Sequence, residues 1–257
     1  MIYTVLSPAK KLDFENPLPD FVQKQKGILP HYPQKTEKLL AELQSLNQKE
    51  LAKLMSLSTS LASLNFDRYK NFATLPSRFS VYAFKGDTYK GLKAETWGEE
   101  HFKNAQEVLF ILSGLYGVLS PHSLIRPHRL EMGTSFSDFS LYDFWQKPLL
   151  QYFSTRLNPQ EDALLVLASK EYFNVLKGLE KTHRLVHFTF LQGEKNIGIF
   201  AKQARGMMAS YVLKNKLYQL SLENFLEKIQ TFKEEGYQFS KKHSSLENLS
   251  VTFIRKE

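Results

Sequence analysis

The chain predicts an α/β (α+β) fold, one domain with a central mixed β-sheet flanked by helices. Three observations carry that expectation. Short β-rich runs alternate with segments of helical period, the order of a sheet covered by helices. A hydrophobic content of 42% in 257 residues is enough to bury a substantial core. No long polar linker divides the chain, so residues 1–257 read as a single domain.

Each element follows from its own pattern. Residues 2–6 (Ile-Tyr-Thr-Val-Leu) are β-rich and end at Ser7-Pro8, a buried strand entering a turn or a helix capped by Ser7 with Pro8 at its first position. Pro17, Pro19, Pro30 and Pro33 make residues 13–33 an extended loop. Leu39, Leu40, Leu43, Leu46, Leu51, Leu54 and Met55 keep helical spacing from Thr36 to Leu57, and Asn47 with Glu50 forms a capping box that divides the run in two. Ser80 to Phe84 alternates as a strand, and Phe84-Lys85-Gly86-Asp87 turns the chain. Phe102, Ala105, Val108, Leu109 and Leu112 predict a helix from Glu99 to Leu112, with a second from Tyr142 to Leu157. Strands are expected at 163–168, 184–190 and 196–200, the last two joined by a hairpin loop at Gln192 to Lys195. Helices near 202–216 and 221–230 and a strand within 249–254 complete the chain.

Charge and composition narrow the function classes. Thirty-four Lys and Arg against 26 Asp and Glu leave a net charge of +8, which suits anionic partners such as nucleic acid, nucleotides or an acidic surface. With no cysteine, disulfides, thiolate catalysis, iron–sulfur clusters and cysteine zinc sites are excluded. The opening apolar run is too short for a signal peptide, and no stretch approaches the roughly 18 apolar residues of a membrane helix. The expectation is a cytoplasmic protein.

Basic, glycine-bearing segments are the candidate sites. Ser113 to Gly117 reads as the sharp turn that ends a buried helix, and its exposed N–H groups beside Arg126 and Arg129 would suit a phosphate. Pro121 and Pro127 leave little room for a full second helix behind it. Ser7-Pro8-Ala9-Lys10 matches the Ser-x-x-Lys pattern of penicillin-binding enzymes, but the companion Ser-Asp-Asn and Lys-Thr-Gly motifs are missing. It is better read as a strand–turn–helix junction with Lys10 near an anion. Around Gly86 and Gly91, Lys85, Lys90 and Asp87 crowd a strand end, a pattern for an anion or Schiff-base site. Lys202 and Arg205 lie three apart on one helical face with Gly206 adjoining, where glycine permits close approach of a backbone or ligand.

Other chemistry lacks its residues. His183 and His187 fall on a strand, about 13 Å apart and too far to share an ion, so no metal is expected. Gly-x-x-x-x-Gly-Lys, Gly-x-Gly-x-x-Gly and Gly-x-Ser-x-Gly patterns are absent, and no cofactor is expected.

Five strings together resemble the YaaA family of bacterial peroxide-stress proteins. They are Leu6-Ser7-Pro8-Ala9-Lys10 with Leu12-Asp13; Phe84-Lys85-Gly86-Asp87 to Leu92; Leu112 to Gly117 continuing through Arg126-Pro127-His128-Arg129-Leu130-Glu131-Met132-Gly133; Leu167-Ala168-Ser169 with Glu171-Tyr172-Phe173; and Lys202 to Met208. The resemblance runs from Met1 to about Phe239. It implies a family-specific single-domain α/β fold, a role in limiting iron-driven oxidative damage, and sequence-nonspecific DNA binding through a helix-hairpin-helix element. Lys170 stands where the family usually has an acidic residue.

Carried onto this chain, the hairpin is Gly114 to Gly117 with Tyr116 between; together with the basic segments it gives a DNA- or phosphate-binding set of Ser7, Lys10, Lys85, Gly114, Tyr116, Gly117, Arg126, Arg129, Lys202 and Arg205. The competing reading is an enzyme acting on a nucleotide or nucleic-acid base, with Lys10, Lys85, Asp87 and Glu131 as catalytic candidates. Convergence of these clusters on one pocket would favour the enzyme, and an open basic groove the binder.

Overall fold

Near-continuous apolar runs form the strands at the centre of the computed structural model, which describes residues 1–256. In chain order they are β1 (Ile2–Leu6), β2 (Leu109–Ser113), β3 (Gly117–Leu119), β4 (Ala163–Leu167), β5 (Arg184–Gln192), β6 (Gln238–Phe239) and β7 (Ser250–Arg255). They make one seven-stranded sheet in the order β6-β7-β5-β4-β1-β2-β3. Pairings among β2, β1, β4, β5 and β7 are parallel, and β3 and β6 close the two edges antiparallel. Every residue of β2 and β4 is buried, as expected of parallel strands covered on both faces.

The connectivity matters for function. From β1 the chain runs to β2 on one side and then crosses back to β4 on the other, so β1 and β4 flank a topological switch point. Ligands of open α/β sheets bind in the crevice outside the carboxyl ends of such strands. Here those ends are Leu6-Ser7 and Leu167-Ala168-Ser169, in register at Leu6 and Leu167.

Helices cover the sheet. Among them are α1 (Pro33–Ser45), α2 (Gln48–Met55), α3 (Thr59–Lys70), α4 (Asp87–Leu92), α5 (Glu99–Val108), α6 (Leu141–Arg156), α7 (Gly198–Lys214) and α8 (Leu222–Ile229). The α1/α2 division falls at Asn47, whose side chain accepts from the backbone N–H of Glu50 at 3.1 Å while the Glu50 carboxylate accepts from the Asn47 N–H at 2.8 Å. α4 and α7 cross in backbone contact. A Cβ on Gly206 would lie 1.8 Å from the Thr88 carbonyl oxygen, and one on Gly91 2.0 Å from that of Gln203. Glycine at both places lets α7 lie against the wall formed by α4.

Several local readings are corrected. Apolar spacing from Glu99 to Leu112 continues past the helix, yet α5 ends at Val108 and Leu109–Ser113 is a sheet strand. Five consecutive apolar or small residues buried on both faces satisfy a central strand as well as a helix end. The following turn therefore joins β2 to β3 as a β-hairpin, and no helix-hairpin-helix is formed there. Residues 7–10 are not helical, so Ser7 caps nothing. Ser80–Ala83 is a helical turn, flanked by two-residue strands at Arg78–Phe79 and Phe84–Lys85. Residues 196–200 enter α7 instead of forming a strand.

Candidate functional site

A cleft enclosing about 430 Å³ opens at the carboxyl ends of β1 and β4. Its walls come from the Ser7–Lys11 segment, the start of α4, the 128–131 segment, the turn after β4, and α7. Seven lysines and arginines line it against three carboxylates, so its electrostatic character is cationic.

The floor is polar and tied together across the sheet. Ser169 donates its backbone N–H to Ser7 Oγ at 2.8 Å, and Ser7 Oγ donates to Ser169 Oγ at 3.3 Å. The Tyr89 hydroxyl donates to the Ser7 carbonyl at 3.1 Å, fixing the end of β1 to α4. Residues 162 positions apart in sequence thus form one floor.

On one wall Glu131 sits between two cations. Lys10 Nζ lies 2.9 Å from Glu131 Oε2, and Arg129 donates from Nη2 and Nε to Oε1 at 2.9 and 3.3 Å. Burial acts to raise the Glu131 carboxyl, but the hydrogen bonds and charges of Lys10 and Arg129 outweigh it and hold it below the ordinary value. Arg129 is itself anchored through its main chain: its N–H donates to the Tyr69 hydroxyl at 3.3 Å, and that hydroxyl donates to the Arg129 carbonyl. Tyr69 is fully buried on α3.

Beside Glu131, Glu171 accepts the Gly133 N–H at 3.2 Å. Burial first, then the charges of Glu171 and Glu131, push the Tyr172 hydroxyl upward, so it stays protonated as a donor. His128 is buried and its Nδ1 donates to the Arg126 carbonyl at 2.7 Å; desolvation brings its pKa down to about 4, so the ring is neutral near pH 7.

The opposite wall carries both paired and unpaired cations. Lys85 pairs with Asp13 at 3.2 Å and Lys90 with Asp87 at 3.5 Å. Arg205 on α7 is half-buried, and among the described residues no carboxylate and no hydrogen-bond acceptor meets its guanidinium. Desolvation lowers its pKa. An unpaired, partly desolvated guanidinium facing a cavity is completed by an incoming anion. Lys202, one turn earlier, is exposed at the rim.

The structure thus gathers Ser7, Lys10, Lys85, Asp87, Arg129, Glu131, Lys202 and Arg205 in one cleft. It separates Gly114, Tyr116, Gly117 and Arg126 from it. The hairpin is buried throughout: a Cβ on Gly114 would lie 2.4 Å from the Leu130 carbonyl, and Gly117 holds a φ of +74° against the Trp145 ring. The Gly114 carbonyl accepts the Trp145 indole N–H at 2.8 Å, and the Tyr116 N–H donates to Ser113 Oγ at 3.2 Å. These glycines serve packing and leave no surface for a phosphate. Arg126 turns away, donating from Nε to the Leu75 carbonyl at 3.0 Å over the Phe72 ring.

Ser113, His128, Ser169, Glu171 and Tyr172 also line the cleft; the sequence places them within the family strings but assigns them no site role. Their signal was positional, since Ser7 and Ser169 each follow an apolar strand by one or two residues. Among the described residues no cluster of three His, Cys, Asp or Glu could hold a metal ion, and no helix is long and apolar enough to cross a membrane.

Fold and site define a doubly wound α/β protein with a cationic cleft at its switch point. The chain belongs to the family described as peroxide stress protein YaaA, whose model matches residues 2–243. It is 40% identical to a UPF0246 protein of Legionella pneumophila across 77% of this chain and 79% of that one. UPF0246 proteins of Saccharophagus degradans and Shewanella baltica are 36% and 37% identical, each covering 98% of this chain.

Proposed function

We propose that this peroxide-stress protein binds DNA across the cleft, without reading sequence, and so helps limit iron-driven damage to it. Phosphates of one strand lie on Arg205 and Lys202, with Lys85 and Lys90 beside them on the adjoining α4 side of the same wall, and the cavity receives a nucleotide unit. The observation that carries this reading is the unpaired Arg205 guanidinium in a cleft where cations outnumber carboxylates. Cytoplasmic location belongs to the same reading.

Anisotropy titration of labelled duplex DNA tests it. Affinity should fall linearly in log–log terms with salt, with a slope of about −0.9 per phosphate neutralised. Arg205→Ala should weaken binding about tenfold and reduce the slope by about one. DNA binding without salt dependence, or an Arg205→Ala protein that binds like wild type, refutes the proposal.

A second reading, an enzyme acting on a nucleotide or nucleic-acid base, is supported by the convergence of Ser7, Lys10, Lys85, Asp87, Arg129, Glu131, Lys202 and Arg205 on one cleft. The cavity places two carboxylates, Glu131 and Glu171, beside a protonated Tyr172 hydroxyl, a set suited to acid–base work on a nucleotide or base. Lys10 and Lys85 are each engaged in an ion pair, so a lysine nucleophile would first have to break one. Turnover of a nucleotide panel that is lost in Glu131→Gln, with DNA affinity retained, would support the enzyme.

A further inference from the structure

The helix that carries Lys202 and Arg205 begins at an exposed apolar tip. Between β5 and α7 the chain turns through residues 194–199, all exposed, and this tip carries Ile197 and Ile199 at 38% and 57% exposure. The two aliphatic side chains sit together on one projection as a small exposed apolar patch. Neither packs into the core, and Gly198 between them has open space where a side chain would stand.

Their position relative to the cleft follows from helix geometry. Ile199, Lys202 and Arg205 are successive neighbours at three-residue spacing along α7. At 1.5 Å rise and about 100° per residue, Ile199 stands about 9 Å along the axis from Arg205 and about 120° around it, with Lys202 between them, an axial separation of roughly two to three nucleotide steps of a stacked strand. The charge around the tip is complementary to a polyanion: from 194 to 205, Lys195, Lys202 and Arg205 face a single carboxylate, Glu194.

We propose that Ile197 and Ile199 form a wedge that enters between adjacent bases of a bound DNA strand while Lys202 and Arg205 hold the phosphates beside it. Apolar side chains inserted at a base step unstack and kink the duplex. At this rim the opened step lies next to the cavity, so unstacking and delivery of a nucleotide to the cleft become one event. This inference rests on DNA binding at the cleft and adds how the strand is opened there.

The test separates the two. Duplexes carrying 2-aminopurine report unstacking by a rise in fluorescence, and anisotropy on the same duplexes reports affinity. Wild-type protein should bind with the expected salt dependence and raise the fluorescence several-fold. The Ile197→Ser/Ile199→Ser protein should keep the salt slope and lose the fluorescence rise, and Ile199→Ala should lose part of it. Thermal melts of the variants should match wild type because both positions are exposed. Binding with no fluorescence change, or an unchanged rise in the double variant, overturns the wedge and leaves DNA binding standing. Absence of binding overturns both. Sedimentation showing a wild-type dimer that the double variant turns into a monomer would assign the isoleucines to self-association and overturn the wedge.

Discussion

Replacing Gly206 by alanine adds one methyl group where α7 meets α4 backbone to backbone. The new Cβ would lie 1.8 Å from the Thr88 carbonyl oxygen, 2.6 Å from the Leu92 nitrogen and 2.8 Å from the Thr88 carbonyl carbon. Ordinary contact begins at 3.4 Å, so the helices must part by about 1.6 Å. No flexible side chain can yield, because every obstacle is main chain. In an unobstructed helix the same change stabilises by about 1 kcal/mol. Overpacking costs about 1–3 kcal/mol, and a backbone clash of this depth lies at the upper end. The net expectation is a loss of about 2 kcal/mol, or a Tm lowered by about 4–8 °C for a chain of this size. Gly198→Ala is the matched control, since nothing lies within 4 Å of its Cβ and it begins the same helix. Urea denaturation of both variants beside wild type would check the pair. A Gly206→Ala protein as stable as Gly198→Ala would show that the crossing is looser than described, and with it the placing of Lys202 and Arg205 against the α4 wall.

Tyr69→Phe removes the hydroxyl that both accepts from the Arg129 N–H and donates to its carbonyl; with two main-chain groups left unsatisfied, stability should fall by about 1–3 kcal/mol, read from chemical denaturation. Acid should destabilise the fold before carboxylates titrate. His128 takes a proton near pH 6.5 when unfolded but only at about 4 when buried, so the unfolded state binds more protons between these values and stability drops as pH falls through them, by up to about 3 kcal/mol. The depressed Glu131 carboxyl adds in the same direction at lower pH, because its stabilisation is present above the unfolded carboxylate value and lost as pH falls through the folded one. Urea midpoints measured from pH 7 to 4 would show the slope, and a flat profile would contradict the neutral, buried His128. Gly117→Asp should fail to accumulate as folded protein, since it forces a side chain into the Trp145 ring at positive φ; a folded, DNA-binding-deficient variant would instead return the hairpin to the binding surface.

Local signals were legible wherever one residue's neighbours in sequence are also its neighbours in space. The Asn47/Glu50 box, the helical period of α1, and the apolar run of β4 are of that kind, and each forms the expected element. So were the chemical types at the site: Ser7, Lys10, Lys85, Asp87, Arg129 and Glu131 are readable as basic or polar groups near turns and strand ends, Lys202 and Arg205 as a basic helix face, and all line the cleft. The glycine hairpin misled because Leu109 to Leu112 suits a helix end and a buried strand equally; burial on both faces, a tertiary fact, decided for the strand. Once Leu109–Ser113 pairs with β1 and β3, the turn behind it is drawn under Trp145 and Leu130 and cannot face a phosphate.

By itself, then, the sequence determined a basic α/β chain without thiol chemistry, because composition and hydrophobic period act residue by residue along the chain. Only the tertiary structure decided which basic groups are neutralised and which are free. Lys10 pairs with Glu131, Arg129 with the same carboxylate two residues along, and Lys85 with Asp13, whereas Arg205 finds no carboxylate among the described residues. That difference depends on through-space distances between segments separated by scores of residues, set by the β1/β4 switch point and by a helix crossing that two glycines allow.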